Sequence, residues 1–411
     1  MRMIHTSDLH VGKRLYDQDR TGEFEAFFSW LSGLVVERGV DLLLVSGDVF
    51  DVGRPSNEAA KMYYDFLKSL VGTCCRNVVV TSGNHDSPDF LAAPKEILSC
   101  ANVTVVPRFS GNVDDEIVEI RGGGGDVEAI VCAVPYLRET DVSIVRAGDS
   151  AFDCERVYSD SIASHYSSVS KRALEARGAR GIPVIGMGHL FSCASLSAER
   201  CGETSRDITL LGTAVSVEPS LLSGLFDYLA LGHVHKPMRI APENEMCRYS
   251  GSPIRLSFSE SPRKSVCLVD FDGASPSLER VPVPVFHGMT SVSGDSPEAI
   301  LSGLSELRDS GRDDYVEVVF SGDRLEYGSL SASIDEIASS SAFTVLQRRF
   351  APPQGASAAG FDFGGDDSLS FSMLASHDEV LGLCLSGVPD EDRRPLEDAY
   401  REAERTLEEE S

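Results

Sequence analysis

Basic residues are scarce in this sequence relative to acidic ones. The chain of 411 residues contains 37 lysines and arginines against 64 aspartates and glutamates, a formal net charge of −27. A chain this acidic does not coat nucleic acid through its overall field, so any DNA contact must come from a local basic patch, from metals or from a partner. The length indicates two or three domains with a sizeable core.

Apolar runs long enough to cross a membrane are also missing. No run reaches the ~18 residues that a membrane helix needs, and the N-terminus enters a strand-like segment at once, so we expect neither a membrane span nor a signal peptide. The ten cysteines are scattered without a C-x-x-C pair. We interpret them as reduced side chains of a cytoplasmic protein in preference to disulfides.

Five strand-like segments end in polar residues. The clearest is 40–51, in which the apolar residues 42–45 lead into Ser46, Gly47 and Asp48. Such an apolar run is typical of a strand buried on both faces. An acid directly after it lies at the carboxyl edge, where open α/β sheets bind ligands. A lone acid here would more often cap a helix, but four further segments end in the same fashion.

The five strand ends share side chains that bind divalent metals. They carry Asp8, His10, Asp48, Asn84, His85, His189, His233 and His235, which include five of the nine histidines. Oxygen and nitrogen ligands of this kind suit Mn, Fe or Zn. We expect D-x-H and H-x-H to present both side chains on one side of an extended backbone, and the Asp48 carboxylate to bridge two ions. Two ions can activate water and clamp an in-line displacement at phosphorus.

The motifs D-L-H, G-D-V-F-D, G-N-H-D, G-H and G-H-V-H, in this order, resemble those of the calcineurin-like metallophosphoesterases. The segments 5–13, 47–55, 231–237 and 249–260 are similar to the SbcD branch of that family, the nuclease subunits of bacterial SbcCD repair complexes. The resemblance covers about the first 285 residues. It implies an α/β two-sheet sandwich flanked by helices, a small α+β capping domain and a helical C-terminal tail.

Local patterns add detail to this architecture. Hydrophobic spacing predicts helices over 20–37, 57–70, 88–98 and 153–177. We expect 247–250 and 265–271 to be antiparallel strands of the second sheet, and 191–210 to be a loop that covers substrate. The predicted divisions are a nuclease domain at 1–285, a DNA-capping domain at 286–350, a linker at 351–367 and a partner-binding tail at 368–411.

The resemblance also implies roles for the site residues. Asp8, His10, Asp48 and His235 would hold one ion, and Asp48, Asn84, His189 and His233 the other, both being Mn²⁺. His85 lies one position beyond a ligand, so we expect its ring to face the substrate and protonate the departing oxygen, with Asp86 orienting it. The alternative for His85 is a structural histidine bonded to backbone.

Six basic residues near the motifs are candidates for contacts with DNA phosphates, although each alone is more often an ordinary surface charge. They are Lys13, Arg14, Arg54, Lys236, Arg239 and Arg255.

The expected function is that of a metal-dependent DNA nuclease, with 3′–5′ exonuclease activity on duplex ends and endonuclease activity on single strands and hairpins. The resemblance implies a homodimer formed through the nuclease domain, a heterotetramer with an SbcC-type coiled-coil ATPase, and a place in the cytoplasm beside the nucleoid. A phosphoesterase of the same fold acting on another ester would keep every ligand, and a neighbouring gene for a coiled-coil ATPase would distinguish the two. A non-catalytic scaffold is disfavoured because the ligand set is complete.

Overall fold

The structure is a computed structural model that describes residues 1–142, 151–192, 215–322 and 324–351. Within these ranges, only the backbone is described for 151–154 and 324–329. Most of the predicted substrate-covering loop, the linker beyond residue 351 and the helical tail lie outside the described residues. No helix in the described part of the chain has the length and apolar character of a membrane span.

The first sheet has a parallel centre. Its parallel strands are β1 (Arg2–Thr6), β2 (Leu42–Ser46), β3 (Asn77–Thr81) and β4 (Val103–Val106). Two antiparallel strands, β11 (Ser265–Asp272) and β12 (Ser275–Pro282), extend it beyond β1, so the order is β12-β11-β1-β2-β3-β4. Pro282 is the last residue of β12, the edge strand, where a proline is tolerated because its missing N–H need not leave a ladder bond unmade.

The second sheet is built in the same way. Its strands are β5 (Ile117–Arg121), β6 (Val127–Ala133), β7 (Val184–His189), β8 (Tyr228–Gly232), β9 (Met238–Ala241) and β10 (Asn244–Tyr249). The order is β5-β6-β7-β8-β10-β9, with β6, β7, β8 and β10 parallel and an antiparallel strand at each edge.

The expectation that 247–250 and 265–271 pair with each other in the second sheet is wrong. β10 pairs with β8 in the second sheet, whereas β11 pairs with β1 in the first. A sequence pattern reports that two segments are strands but not which neighbour each one finds. The segment between them, residues 250–264, therefore crosses from one sheet to the other at the edge where the parallel strands end.

Helices cover the outer faces of both sheets. The long ones are α1 (Thr21–Arg38) and α2 (Asn57–Leu70) on the first sheet and α6 (Ala151–Arg177) on the second. The side chains of β2 contribute to two hydrophobic layers. Leu42 and Leu44 pack between the two sheets, and Leu43 and Val45 pack under the helices. Successive side chains of a strand point to opposite faces. The predicted two-sheet sandwich is confirmed.

The predicted helix over 88–98 is wrong as a single element. Two short helices, α3 (Pro88–Ala92) and α4 (Lys95–Ser99), lie there instead, separated at Pro94. Proline has no N–H to donate and its ring clashes with the preceding turn, so the helix ends before it. The α2 prediction has the observed bounds, and the Ser56 side chain caps it by accepting from the N–H of Ala59 at 3.1 Å.

Short elements complete the sandwich. They are a 3₁₀ turn (Val113–Glu116), α5 (Glu139–Val142) and α7 (Pro219–Leu222).

A third, smaller sheet follows the sandwich. It comprises the parallel strands β13 (Met289–Gly294), β14 (Tyr315–Phe320) and β15 (Thr344–Phe350), covered by α8 (Pro297–Asp309) and α9 (Arg324–Ser339). The second of the predicted divisions, 286–350, contains this unit. Apolar contacts of Leu15 and Phe258 with Tyr315 join this unit to the sandwich.

Candidate metal centre

Five parallel strands bring the predicted ligands to one edge of the sandwich. Asp8 and His10 follow β1, Asp48 follows β2, Asn84 and His85 follow β3, His189 ends β7, and His233 and His235 follow β8. The two sheets meet face to face, so loops from both converge at this edge. The structure therefore brings together all seven side chains that the sequence marked as metal ligands.

The ligand loops have an unusual backbone. Asp8, His10 and Asp48 have φ values of 52°, 45° and 48°, and His233 has a φ of 102°. This region costs an L-residue roughly 1–2 kcal/mol because Cβ crowds the carbonyl oxygen, and such strain clusters at functional sites. The two side chains of D-L-H therefore reach the site from a left-handed turn. Our expectation that an extended strand presents them is wrong.

Glycines let the loops approach the ligands closely. A Cβ on Gly47, whose φ is 79°, would lie 2.2 Å from Nδ1 of His189. A Cβ on Gly83 would lie 2.1 Å from Oδ1 of Asp48. Neither distance is compatible with a side chain, so the backbone itself forms the wall of the site at these positions.

We call Asp8, His10 and His235 the first side of the site. Their ligand atoms all lie within 4.8 Å of one another. Nε2 of His10 and Nε2 of His235 face each other at 3.2 Å. Both rings donate from Nδ1 to a carboxylate, which leaves Nε2 of each ring as the atom that can bind a metal. Two imidazole nitrogens this close together could both bind one cation lying to one side of the line that joins them.

A carboxylate lies behind each of these two rings. Nδ1 of His10 is 3.2 Å from Oδ1 of Asp51, and Nδ1 of His235 is 3.0 Å from Oε1 of Glu260. An ionised carboxylate only accepts hydrogen bonds, so both Nδ1 atoms carry the proton. Each carboxylate is in turn paired with a lysine, Asp51 with Lys13 at 2.9 Å and Glu260 with Lys264 at 2.6 Å.

Sequence reasoning missed Asp51, Glu260 and Lys264 as part of the site. Asp51 and Glu260 are the terminal acids of the motifs 47–51 and 249–260, so an acid at the end of a motif was the available signal. Lys264 carried no signal, because nothing in the sequence indicates that it is only 6% exposed.

We call Asn84, His189 and His233 the second side of the site. Oδ1 of Asn84 lies 2.9 Å from Nε2 of His189 and 3.1 Å from Nδ1 of His233. The other nitrogen of His189, Nδ1, donates to the backbone carbonyl of Ser46 at 3.1 Å. The ring of His189 is thus held by an uncharged group, unlike the rings of the first side.

Asp48 lies between the two sides. Its Oδ2 is 3.3 Å from Nε2 of His189 and 3.5 Å from Nε2 of His10, while its Oδ1 accepts from the N–H of His85 at 2.9 Å. One carboxylate oxygen therefore faces ligands of both sides, which is the position expected of a bridge between two ions.

The electrostatics of this cluster favour cations. Burial alone would raise the pKa of Asp48, but the charge and hydrogen bond of His189 lower that pKa below its usual range. Burial likewise opposes the charge on His189, yet the charge of Asp48 raises the pKa of that ring to about 9. Burial and the neighbouring His189 lower the pKa of His233 to about 3. A divalent cation at the Asp48 carboxylate would thus compete with the proton of His189.

His85 is held by a different group from the one we expected. Its ring is exposed, and Nδ1 donates to the backbone carbonyl of Asp51 at 2.9 Å. The Asp86 carboxylate accepts instead from the N–H groups of Val49, Phe50 and Gly83 at 3.1, 2.9 and 2.9 Å. The expectation that Asp86 orients His85 is therefore wrong.

Asp86 instead ties two ligand loops together, and burial with the nearby charge of Asp48 raises its pKa to about 6. Sequence adjacency suggested a contact between Asp86 and His85 that the backbone turn prevents.

The six basic candidates for DNA contact have different surroundings. Lys13 and Arg239 are paired with Asp51 and Glu245, while Arg14 and Arg54 are exposed and Lys236 is half-buried. Arg255 does not fit the role. Its guanidinium donates to the carbonyls of Met289 at 2.8 Å and Phe258 at 2.7 Å, so it joins the sandwich to the three-stranded unit.

A cavity of about 280 Å³ adjoins the second side. Tyr136, Arg138, Tyr158 and Phe191 line it together with His189 and His233, among others. Tyr136 places its ring 6.2 Å from that of His189. Sequence reasoning did not identify this space, because apart from His189 and His233 its lining comes from loops and a helix that carry no motif.

Comparison with known proteins finds relatives within one family. Residues 1–237 match the family model described as calcineurin-like phosphoesterase. The D subunit of nuclease SbcCD from Escherichia coli strain K12 is 35% identical over 311 residues, which are 75% of this chain and 74% of the relative. The proteins of the same name from Rhodobacter capsulatus and Bacillus subtilis are 33% identical over 316 residues and 30% identical over 274 residues. They cover 75% and 66% of this chain and 76% and 66% of the relatives' own lengths.

Proposed function

The chain belongs to the calcineurin-like phosphoesterases, within the family of the D subunits of nuclease SbcCD, and we propose that it is the nuclease subunit of an SbcCD-type complex. One observation carries the proposal: ligands from five strand ends face each other across Asp48, with the Nε2 atoms of His10 and His235 3.2 Å apart. Calcineurin-like phosphoesterases use divalent metals, and this donor set of carboxylate, amide and imidazole groups fits such ions.

The proposed ligands follow the two sides of the site. Asp8, His10, Asp48 and His235 would hold one ion, and Asp48, Asn84, His189 and His233 the other. We propose Mn²⁺ for both, since the ligands are of intermediate hardness. When bound, a pair of divalent ions lowers the pKa of water and neutralises charge on the phosphoryl oxygens.

His85 is the proposed group for the leaving oxygen. Its Nδ1 is occupied by the carbonyl of Asp51, so Nε2 is the atom that can exchange a proton with substrate. The ring is exposed, whereas His10 and His189 are buried. An imidazolium at His85 would donate its Nε2 proton to the departing sugar oxygen and return as the neutral ring.

DNA is the proposed substrate. We propose 3′–5′ exonuclease activity on duplex ends and endonuclease activity on single strands and hairpins. Lys13, Arg14, Arg54, Lys236 and Arg239 lie in or beside the ligand loops and are the proposed phosphate contacts. The adjoining cavity offers Arg138 as a further cation beside the second side.

Assembly follows the proposed domain division at 1–285, 286–350, 351–367 and 368–411. The first region would form a homodimer, the second would cap DNA, and the tail would dock on an SbcC-type coiled-coil ATPase to give a heterotetramer. The relatives are named as one subunit of a larger nuclease, which supports a second, different subunit as partner. We place the complex in the cytoplasm, beside the nucleoid.

The test is hydrolysis of linear duplex DNA by the full chain with Mn²⁺, before and after removal of metal by a chelator. We expect cleavage that depends on Mn²⁺ and release of mononucleotides from 3′ ends. Hydrolysis of phosphoproteins or free nucleotides with DNA left intact would reject the nuclease and favour another ester as substrate.

A further inference from the structure

We infer that Glu260 is a positioning residue that aims His235 at the first side of the site, with Lys264 holding the Glu260 carboxylate in place. This rests on the proposed function, because it assigns His235 as a ligand of one divalent ion. Glu260 itself is not a ligand, since its carboxylate lies behind the ring, at Nδ1.

Glu260 lies on the segment that crosses between the two sheets. Its Oε1 accepts from Nδ1 of His235 at 3.0 Å. Its Oε2 accepts from the N–H of Leu256 at 3.0 Å and from Nζ of Lys264 at 2.6 Å. Both oxygens are thus engaged, and the residue is only 8% exposed. A carboxylate bonded from four residues further back and four further on has little freedom to move.

Lys264 fixes the same arrangement from the other end. Its Nζ donates to Oε2 of Glu260, to Oγ of Ser252 at 2.8 Å and to the backbone carbonyl of His235 at 3.1 Å. All three protons of the ammonium group are used. The lysine therefore holds both the carboxylate behind the ring and the main chain that carries the ring.

A buried ion pair of this kind is a poor source of stability, because desolvation offsets most of the attraction. Apolar residues of similar volume would fill the space equally well. What the pair does supply is a fixed proton on Nδ1 of His235. Nε2 is then the nitrogen left to bind a metal, and it faces Nε2 of His10, 3.2 Å away. A carboxylate behind a ligating imidazole fixes its tautomer and increases its basicity.

The same chain contains a matched pair away from the site. Glu116, in the 3₁₀ turn, lies 2.7 Å from Nε2 of His165 on α6. Glu116 is 1% exposed and His165 8% exposed. This is also a glutamate–histidine pair, and its histidine side chain is more buried than that of His235, at 7% against 29% exposed. Its histidine is not among the residues that converge on Asp48. If Glu260 acted only in folding, neutralising it would leave Mn²⁺ binding by the folded chain unchanged, as neutralising Glu116 should.

The experiment compares Glu260→Gln with Glu116→Gln in the full-length chain, with Mn²⁺ titrated by calorimetry. Glutamine keeps the shape and an accepting oxygen but loses the charge. We expect Glu260→Gln to weaken one of the two Mn²⁺ binding steps by about 10- to 100-fold and to leave the other unchanged. Glu116→Gln should leave both steps unchanged. The DNA cleavage rate of Glu260→Gln should recover as Mn²⁺ is raised to saturation.

The inference is overturned if the wild-type chain binds two Mn²⁺ ions and the Glu260→Gln chain binds both ions with the same affinities as the wild type. Should Glu260→Gln fail to fold, Glu260→Asp keeps the charge but withdraws the oxygen from the ring. The same selective loss is expected there, and unchanged affinity again rejects the inference. A wild-type chain that binds no pair of ions instead rejects the proposed function, so the two failures are distinguishable.

Discussion

The two sides of the metal site are held in place by different means. On the first side, the rings of His10 and His235 are backed by the carboxylates of Asp51 and Glu260. On the second side, the ring of His189 is backed by a backbone carbonyl, that of Ser46. Gly47 brings the main chain so close to His189 that a Cβ there would lie 2.2 Å from Nδ1.

This difference predicts different sensitivities. The first side depends on side chains that reach it from distant segments, so changing a charge or shortening a side chain will disturb it. The second side depends on the close approach of backbone, so adding a single carbon will disturb it while many side-chain changes nearby will not. Asp48 faces both sides and should be sensitive in either respect.

Removing the Asp48 carboxylate should prevent metal binding on both sides of the site. Asp48→Ala deletes the carboxylate that faces both His10 and His189, so both ions should be lost and DNA cleavage should fall to background. Metal stoichiometry and cleavage rate measure this. Asp65→Ala, which alters an exposed aspartate on α2 paired with Lys61, is the control and should change neither. Retention of one ion at normal affinity would mean that Asp48 belongs to one side only.

A variant of His85 tests which histidines near the first side bind a metal ion and which act on the substrate. Its ring centroid lies 4.8 Å from that of His10, and His10, Asp51 and His85 are close enough together to hold an ion themselves. We assign His85 to the substrate, so His85→Ala should keep both ions and lose about 10²- to 10⁴-fold in the rate of DNA cleavage.

A nitrophenyl phosphodiester, whose leaving group needs little protonation, should be affected less by His85→Ala than DNA is. Metal content and both rates are the measurements. Loss of an ion, or equal slowing of both substrates, would contradict the assignment.

Gly47→Ala should break the second side alone. The new methyl group cannot fit beside His189, so we expect one of the two Mn²⁺ binding steps to weaken. It should be the step that Glu260→Gln leaves unchanged. We expect roughly a tenfold loss of affinity or more, which is typical when the groups that support a ligand are displaced. Gly72→Ala is a matched control. Gly72 has a φ of 81°, close to the 79° of Gly47, but a Cβ there would meet nothing within 4 Å.

Gly72→Ala should therefore cost only the roughly 1–2 kcal/mol of a left-handed residue, seen as a lower Tm with unchanged Mn²⁺ binding. If both glycine variants bind Mn²⁺ normally, the second side does not depend on the close approach of its backbone, and the proposed difference between the two sides is wrong.

The smallest effect concerns the proposed DNA contacts at the rim of the site. Arg14→Glu combined with Lys236→Glu should weaken DNA binding and flatten its dependence on salt by about 0.9 in slope for each phosphate that the protein no longer binds. Hydrolysis of bis-p-nitrophenyl phosphate should persist, because neither residue belongs to the ligand set. Lys61→Glu, on the outer helix α2, is the control for net charge. Equal loss of both activities would indicate that Arg14 and Lys236 support the metal centre instead.

Much of the fold could be predicted from the sequence. The bounds of α2 and of β2 follow from periodicity and from a serine cap, and both are signals confined to neighbouring residues. The pairing of β10 and β11 could not be predicted, since each strand meets its neighbour through residues far away in the chain. β11 pairs with β1, which is separated from it by most of the sandwich sequence.

The positions of the candidate metal ligands could be predicted from the sequence for a related reason. Strand ends deliver side chains to one edge whenever parallel strands share a sheet, so the positions of Asp48 and His189 follow from the strands that precede them. Asp86 and Arg255 show where this reasoning stops. The Asp86 carboxylate joins loops through Val49 and Gly83, and Arg255 clamps the small unit through the carbonyl of Met289.

What the sequence by itself predicted is therefore the type of each candidate ligand and the strand end that carries it. Only the tertiary structure decided which way each ring faces. The Nε2 atoms of His10 and His235, which face each other at 3.2 Å, belong to residues 225 positions apart. The proton on His235 is fixed by Glu260, 25 positions further on, and by the lysine that holds Glu260. Ring orientation depends on hydrogen bonds between segments that are in contact only in the folded chain. Local residue patterns cannot predict those contacts.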